Sequence, residues 1–110
     1  MGKRKLMTVI NYLHECVDES GVKVSKIILF GSQIKKSGVE ESDIDVVIVS
    51  KDFKDKDLFE RLEMLRVAVI KTTKKYIVPL DVIAMTPDEL RRKGSPLAGF
   101  ARNGVVVYAA

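Results

Sequence analysis

The spacing of apolar residues changes several times along the chain, and each change marks a predicted helix or strand. Residues 4–19 carry an apolar residue every three or four positions, which predicts an amphipathic helix that ends near Ser20-Gly21. Residues 24–30 form a short apolar run that predicts a strand. Residues 44–50 are nearly continuous in β-branched residues, so we expect a second, central strand covered on both faces.

A longer helical spacing follows in residues 55–75. The apolar residues expected to face the core from this helix are Leu58, Leu62, Leu65 and Val69. Residues 77–85 then predict a third strand, in which Pro79 is consistent with an edge position.

The last quarter of the chain contains clear helix boundaries. Thr86 is a predicted N-cap, Pro87 occupies the first helical position, and acidic residues follow in the first turn. Residues 94–96 (Gly-Ser-Pro) end that helix, and a short helical turn is expected at residues 97–102. Residues 104–108 predict a short closing strand.

The predicted order of elements, α-β-β-α-β-α-β, indicates an α/β fold of the α+β type. We expect a small mixed β-sheet of about four strands with helices mainly on one face. A chain of 110 residues is expected to form a single domain over residues 1–110. Such a domain can bury its own core but leaves no room for a separate substrate-binding domain.

Composition narrows the class of protein without identifying it. The chain is 46% hydrophobic and 31% charged, as in soluble globular proteins, and its apolar runs are far shorter than the ~20 residues that span a membrane. The single cysteine, Cys16, cannot form an internal disulfide, which fits a cytoplasmic location. A net charge of +4 is compatible with nucleotide phosphates and does not exclude nucleic acid.

A Gly-Ser pair, Gly31-Ser32, directly follows the first predicted strand. Glycine lets a ligand approach the backbone closely, and a serine that opens a helical turn offers a hydroxyl and free N–H groups to a phosphate. Because most Gly-Ser pairs are ordinary turns, the pair alone is weak evidence for a phosphate site.

Three aspartates accompany the apolar strands. Asp43 and Asp45 lie two positions apart at the start of the second strand, so both carboxylates face the same side. Solvated aspartates in a polar turn would show the same pattern. Asp81 lies within the apolar run of the third strand, where it must be paired, metal-bound or exposed at an edge.

The positions of these residues agree with a metal site. If the first two strands are antiparallel neighbours, Gly31-Ser32 and the pair Asp43 and Asp45 lie at the same end of the sheet. Asp81, on a strand beside the second, would complete a cluster of three carboxylates. Such a cluster can hold two Mg²⁺ ions ~4 Å apart for phosphoryl or nucleotidyl transfer.

Gly31-Ser32, ten intervening residues and then Asp43-Ile44-Asp45 resemble the signature of the DNA polymerase beta-like nucleotidyltransferase superfamily. The short chain and its ending, residues 102–108, resemble the minimal nucleotidyltransferase branch. The resemblance implies that Asp43 and Asp45 bind two Mg²⁺ ions, or Mn²⁺, and that Asp81 binds the catalytic ion and helps to activate an acceptor hydroxyl. Gly31 and Ser32 would hold the triphosphate.

The sequence departs from the family signature at one point. Lys35 occupies the place of a basic residue that follows the Gly-Ser pair in many members, and it is a candidate phosphate ligand, although simple surface charge explains it as well. Lys36 stands where glycine is usual, and Gly38 comes two positions later. The departure concerns the shape of the loop rather than the carboxylates.

The implied reaction transfers a nucleoside monophosphate from an NTP, with ATP as the expected substrate, to a hydroxyl. The resemblance further implies a helical HEPN-type partner protein, whose tyrosine would be the acceptor, and thus a toxin–antitoxin pair. The alternative is a non-catalytic antitoxin module that neutralises such a partner by docking. Homo- and hetero-oligomers both remain open.

Overall fold

The structure, a computed structural model, describes residues 2–30 and 43–110, which contain four helices and four strands. The helices are α1 (Lys3–Glu19), α2 (Leu58–Tyr76), α3 (Pro87–Leu90) and α4 (Pro96–Arg102). The strands are β1 (Lys26–Phe30), β2 (Ile44–Val49), β3 (Leu80–Met85) and β4 (Val105–Ala109). A 3₁₀ turn at Lys51–Phe53, which the apolar spacing did not predict, follows β2.

The four strands form one sheet in the order β3-β2-β1-β4. β1 runs antiparallel to both of its neighbours, β2 and β4, whereas β2 and β3 are parallel. The sheet is therefore mixed, and β2 is a central strand, as its continuous apolar sequence predicted. The predicted α/β fold class is confirmed.

The two faces of the sheet carry helices of different length. Because side chains alternate along a strand, Ile44 and Ile48 of β2 point into the core beneath α1 and α2. Val47 and Val49 point to the other side, into a smaller cluster with residues of α3 and α4. The two long helices thus lie on one face, as predicted, and the two short helices cover part of the other.

The stripe predicted for α2 requires a correction. Leu65 is fully buried and Val69 is partly buried against the core, but Leu58 and Leu62 are exposed. The prediction is confirmed for Leu65 and Val69 and wrong for Leu58 and Leu62. The residues of α2 that are buried are Leu65, Ala68 and Thr72.

The orientation of α2 follows from the partners that it contacts. Arg61 donates hydrogen bonds to the carbonyl oxygen of Ala84 in β3 and to both carboxylate oxygens of Glu89 in α3. The small side chains of Ala68 and Thr72 permit close packing, and the Thr72 hydroxyl donates to the Ala68 carbonyl oxygen inside the helix. These contacts turn Leu58 and Leu62 away from the sheet.

The predicted start of the helix after β3 is confirmed, but α3 ends at Leu90, earlier than the break expected at residues 94–96. Thr86 accepts a hydrogen bond from the backbone N–H of Glu89, whose side chain accepts one from the N–H of Thr86, and Pro87 is the first helical residue. Ser95 caps α4 in the same position relative to Pro96.

Within residues 2–30 and 43–110, no helix is both long and apolar enough to cross a membrane.

Candidate active site

Two of the predicted site residues lie directly beside each other in the sheet. Asp45 of β2 is paired with Asp81 of β3, and on its other side Asp45 is paired with Phe30, the last residue of β1. Paired residues in a sheet share a face, so the Asp45 and Asp81 carboxylates point to the same side. This side is the one that carries α3 and α4, because Val47 and Val49 share the orientation of Asp45.

Asp43 joins this pair at the end of the sheet. It lies one residue before β2 begins, is exposed, and is close enough for its charge to act on Asp45. The start of β2, the start of β3 and the end of β1 meet at this end. The structure therefore brings Asp43, Asp45 and Asp81 into one neighbourhood, as the strand pattern predicted.

Burial raises the pKa of Asp45, and the negative charge of Asp81, a hydrogen bond to Asp81 and the charge of Asp43 raise it further. Each of these influences disfavours the ionised carboxylate. Clustered carboxylates are electrostatically costly unless positive charge is brought to them, and a bound cation supplies such charge.

The donor set fits a divalent cation by its chemistry, since carboxylate oxygens are the ligands that Mg²⁺ prefers. The fit is chemical rather than geometric. Among residues 2–30 and 43–110, no group of three His, Cys, Asp or Glu residues is arranged closely enough to hold a metal ion. Asp45 and Asp81 provide the paired core of the site, and Asp43 provides a third carboxylate in its neighbourhood.

The predicted phosphate-binding residues Gly31, Ser32 and Lys35 lie outside the residues that the structure describes, so their roles stay predictions. The last described residue before them lies beside the carboxylates. Phe30, immediately before Gly31, is paired with Asp45, so the chain leaves β1 at the carboxylate end of the sheet.

An aromatic pair that no sequence motif indicated lies near the carboxylates. The rings of Phe30 and Phe100 meet edge to face with 5.3 Å between their centroids. Phe30 shares the face of Asp45, and Phe100 of α4 is 56% exposed. The sequence gave no signal for Phe100, because its position depends on how α4 packs against β1.

Two surface depressions in the described part of the chain lie away from this site. One of about 450 Å³ adjoins Lys51, which follows β2, and Thr86, which follows β3, so it lies at the opposite end of the sheet. Its lining residues are Lys51, Lys54, Thr86, Pro87, Asp88 and Arg91.

The sheet is mixed, Asp45 and Asp81 are neighbours in it, and the Gly-Ser pair follows β1 directly in the sequence. This combination is the one expected of a nucleotidyltransferase. The chain matches the nucleotidyltransferase domain family over residues 10–104. It therefore belongs to this family, and the resemblance drawn from Gly31-Ser32 and Asp43-Ile44-Asp45 is confirmed, as is the assignment to the nucleotidyltransferases as an enzyme class.

A relative from Methanocaldococcus jannaschii, named as a protein adenylyltransferase by inference, is 28% identical over 98% of this chain and 75% of its own. Among solved structures, a protein from Sulfolobus solfataricus, named by inference as a nucleotidyltransferase, superposes with a TM-score of 0.61 at 21% identity. That superposition covers 99% of this chain and 90% of the Sulfolobus chain.

Two further solved structures share the fold. A toxin–antitoxin complex with AMP-PNP superposes with a TM-score of 0.60 at 20% identity, covering 91% of this chain and 73% of the other. The BolA domain of SufE1 from Arabidopsis thaliana superposes with a TM-score of 0.51 at 20% identity, covering 81% and 98%. Because a BolA domain shares this architecture, the fold alone does not determine the activity, and the carboxylates must carry the functional argument.

Proposed function

We propose that this protein transfers a nucleoside monophosphate from an NTP, with ATP as the expected donor, to a hydroxyl group of a partner protein in the presence of Mg²⁺. The observation that carries the proposal is the strand register. It pairs Asp45 with Asp81 on one face of the sheet and places Asp43 at the same end. Family membership supplies the class of reaction.

Each carboxylate has a role in this proposal. Asp43 and Asp45 would hold the two divalent ions, for which Mn²⁺ can substitute, and Asp81 would hold one of them. Bound Mg²⁺ would neutralise the triphosphate and stabilise the charge that develops on it during transfer. Gly31, Ser32 and Lys35 would hold the triphosphate, as the family signature implies.

The covalent change takes place at the α-phosphorus. The acceptor oxygen forms a bond to this atom, the bond from the α-phosphorus to the bridging oxygen breaks, and pyrophosphate leaves. The hydroxyl proton passes to the Asp81 carboxylate and from there to water. Asp81 suits this step because it is exposed at the sheet end and directly adjoins Asp45.

The acceptor that we propose is a tyrosine hydroxyl of a HEPN-type partner protein. The relative named as a protein adenylyltransferase supports a protein acceptor, and the toxin–antitoxin complex that contains AMP-PNP supports both ATP and a partnered system. The exposed ring of Phe100 provides a flat apolar surface for the nucleobase on the carboxylate face.

The direct test is transfer of label from α-labelled ATP to a HEPN-type partner in the presence of Mg²⁺. The variants Asp45→Asn and Asp81→Asn should each reduce transfer by at least 100-fold, because the loss of a metal ligand removes transition-state stabilisation worth several kcal/mol. Asp55→Asn is the matched control. Asp55 is exposed and has a positive φ of 63°, which asparagine tolerates, so its activity should be unchanged.

The same variants separate catalysis from docking. If Asp45→Asn still neutralises a toxic partner in cells as well as the wild-type protein does, the non-catalytic antitoxin alternative is correct. If the wild-type protein transfers label to no partner hydroxyl with any divalent ion, the proposed reaction is wrong.

A further inference from the structure

The outward face of α2 is apolar as well as its buried face. Phe59 is 81% exposed, Val67 58%, Leu62 44% and Ile70 42%. The outward face of a surface helix is usually polar, and here it carries four large apolar side chains. Contiguous apolar surface of this kind marks an interaction site. We define this outward face by Phe59, Leu62, Glu63, Arg66, Val67 and Ile70.

The order of residues on the outward face is symmetric. Phe59, Glu63, Arg66 and Ile70 follow one another at intervals of four, three and four residues, so they form a single line along the helix. Leu62 and Val67 flank this line on opposite sides. The line is apolar at each end and charged in the middle, with an acidic residue before a basic one.

The two charged residues of the line, Glu63 and Arg66, are available to an incoming partner. Within residues 2–30 and 43–110, neither Glu63 nor Arg66 forms an ion pair, and both are exposed. When the helix is turned end over end, the line still has an apolar residue at each end, but its two charges exchange places. The outward face is therefore complementary to a second copy of itself.

We propose that a second copy of this chain docks on the outward face, with the two α2 helices antiparallel about a two-fold axis between residues 64 and 65. In this arrangement Phe59 lies opposite Ile70 of the second copy, and Glu63 lies opposite Arg66 of the second copy. Each contact occurs twice by symmetry, as in any isologous dimer. The Leu62 side chains of the two copies meet on one side of the helix pair, and the Val67 side chains meet on the other.

Charge complementarity distinguishes a second copy from an unrelated partner. An unrelated protein would need its own acidic and basic residues at the matching spacing, whereas this chain already carries both on one helix. Each copy contributes one helix face, which is a small interface compared with the about 800 Å² per partner that stable complexes usually bury. The dimer is therefore expected to be weak and to form at micromolar concentrations.

The proposed interface is separate from the carboxylates. α2 packs on the sheet face that includes Ile44 and Ile48, while Asp45 points to the opposite face with Val47. Dimer formation through α2 leaves the candidate active site open in both copies. A failure of the dimer proposal and a failure of the proposed transfer activity are consequently distinguishable by separate measurements.

The experiment is sedimentation equilibrium of the full chain over a hundredfold range of concentration. The wild-type protein should shift from monomer to dimer, and Phe59→Asp should abolish the shift. Glu63→Arg and Arg66→Glu should each weaken the dimer at least tenfold, since each places like charges opposite each other twice. The double variant Glu63→Arg with Arg66→Glu should restore dimerisation to near the wild-type level.

Glu15→Arg and Lys5→Glu are matched controls, because they reverse exposed charges on α1 and should leave dimerisation unchanged. Circular dichroism of each variant checks that it is folded. A wild-type protein that stays monomeric throughout overturns the proposal, as does a double variant that associates no better than the single ones. A different protein bound to this face, with the chain itself monomeric, overturns it as well.

Discussion

At the scale of single residues, the candidate chemistry depends on which face of β2 each side chain occupies. Asp45 shares its face with Val47 and Val49, and the strand register places Asp81 next to it. Alternation along a strand is a local property, so the face that Asp45 shares with Val47 and Val49 follows from their spacing. The adjacency of Asp81 depended on strand order, which the spacing does not contain.

Phe100 gives the residue-scale prediction. If its exposed ring packs against the nucleobase, Phe100→Ala should raise the KM for ATP about tenfold with little change in kcat, because stacking on one aromatic ring contributes ~1–3 kcal/mol per base. The measurement is transfer activity as a function of ATP concentration. Phe100→Tyr should retain the wild-type KM. An Ala variant with an unchanged KM would show that the ring has no part in nucleotide binding.

At the scale of elements, the sequence predicts what is determined within each segment. The N-cap Thr86 and the start of α3 follow from short-range hydrogen bonds and were predicted correctly. The N-cap Ser95 of α4 was not predicted. The buried face of α2 was predicted only in part, because apolar residues occur on both of its sides. The contact of Arg61 with Ala84 and Glu89 selects the face, and this contact joins residues far apart in the sequence.

The start of β4 gives the element-scale prediction. A Cβ added at Gly104 would lie 2.6 Å from the carbonyl oxygen of Leu29 and 2.7 Å from Cγ2 of Ile28. Gly104→Ala should therefore push β4 away from β1 and lower the free energy of unfolding by about 1–3 kcal/mol. Thermal unfolding should show a midpoint lower by roughly 5–20 °C.

Gly99→Ala is the matched control for this substitution. Gly99 lies inside α4, and an added Cβ would approach nothing closer than 3.8 Å. Alanine favours the helix over glycine by ~1 kcal/mol, so Gly99→Ala should leave the unfolding midpoint unchanged or raise it. Equal loss of stability in both variants would contradict the packing explanation at Gly104.

At the scale of the whole molecule, the order of elements and the mixed sheet were predictable. The contacts that link the helices on one face of the sheet to those on the other were not. Apolar spacing identifies each element separately, whereas strand order and the placement of α3 and α4 opposite α1 depend on long-range packing. Arg61 and Glu89 provide one such link. Their ion pair, at 2.7 Å, ties α2 on one face of the sheet to α3 at the end of β3.

This ion pair makes stability depend on pH. The hydrogen bonds from Arg61 lower the pKa of Glu89 to about 2. Since the pKa of Glu89 in the folded protein lies below the ordinary value of 4.5, the contribution to stability is fully present above pH ~5. It declines as the pH falls from there and is lost as the pH passes through about 2. The full shift corresponds to about 3 kcal/mol, and partial exposure of Glu89 reduces the expected effect to ~1–2 kcal/mol.

Glu89→Gln tests this link, because glutamine preserves the hydrogen bond to Thr86 while removing the charge. Urea unfolding at a series of pH values should show the variant less stable than the wild-type protein by ~1–2 kcal/mol at pH 7, with the difference vanishing near pH 2. Asp88→Asn removes the neighbouring, highly exposed pair with Arg91 and should change stability little at any pH. A difference between wild type and Glu89→Gln that is constant from pH 7 to pH 2 would show that the carboxylate charge of Glu89 does not stabilise the fold.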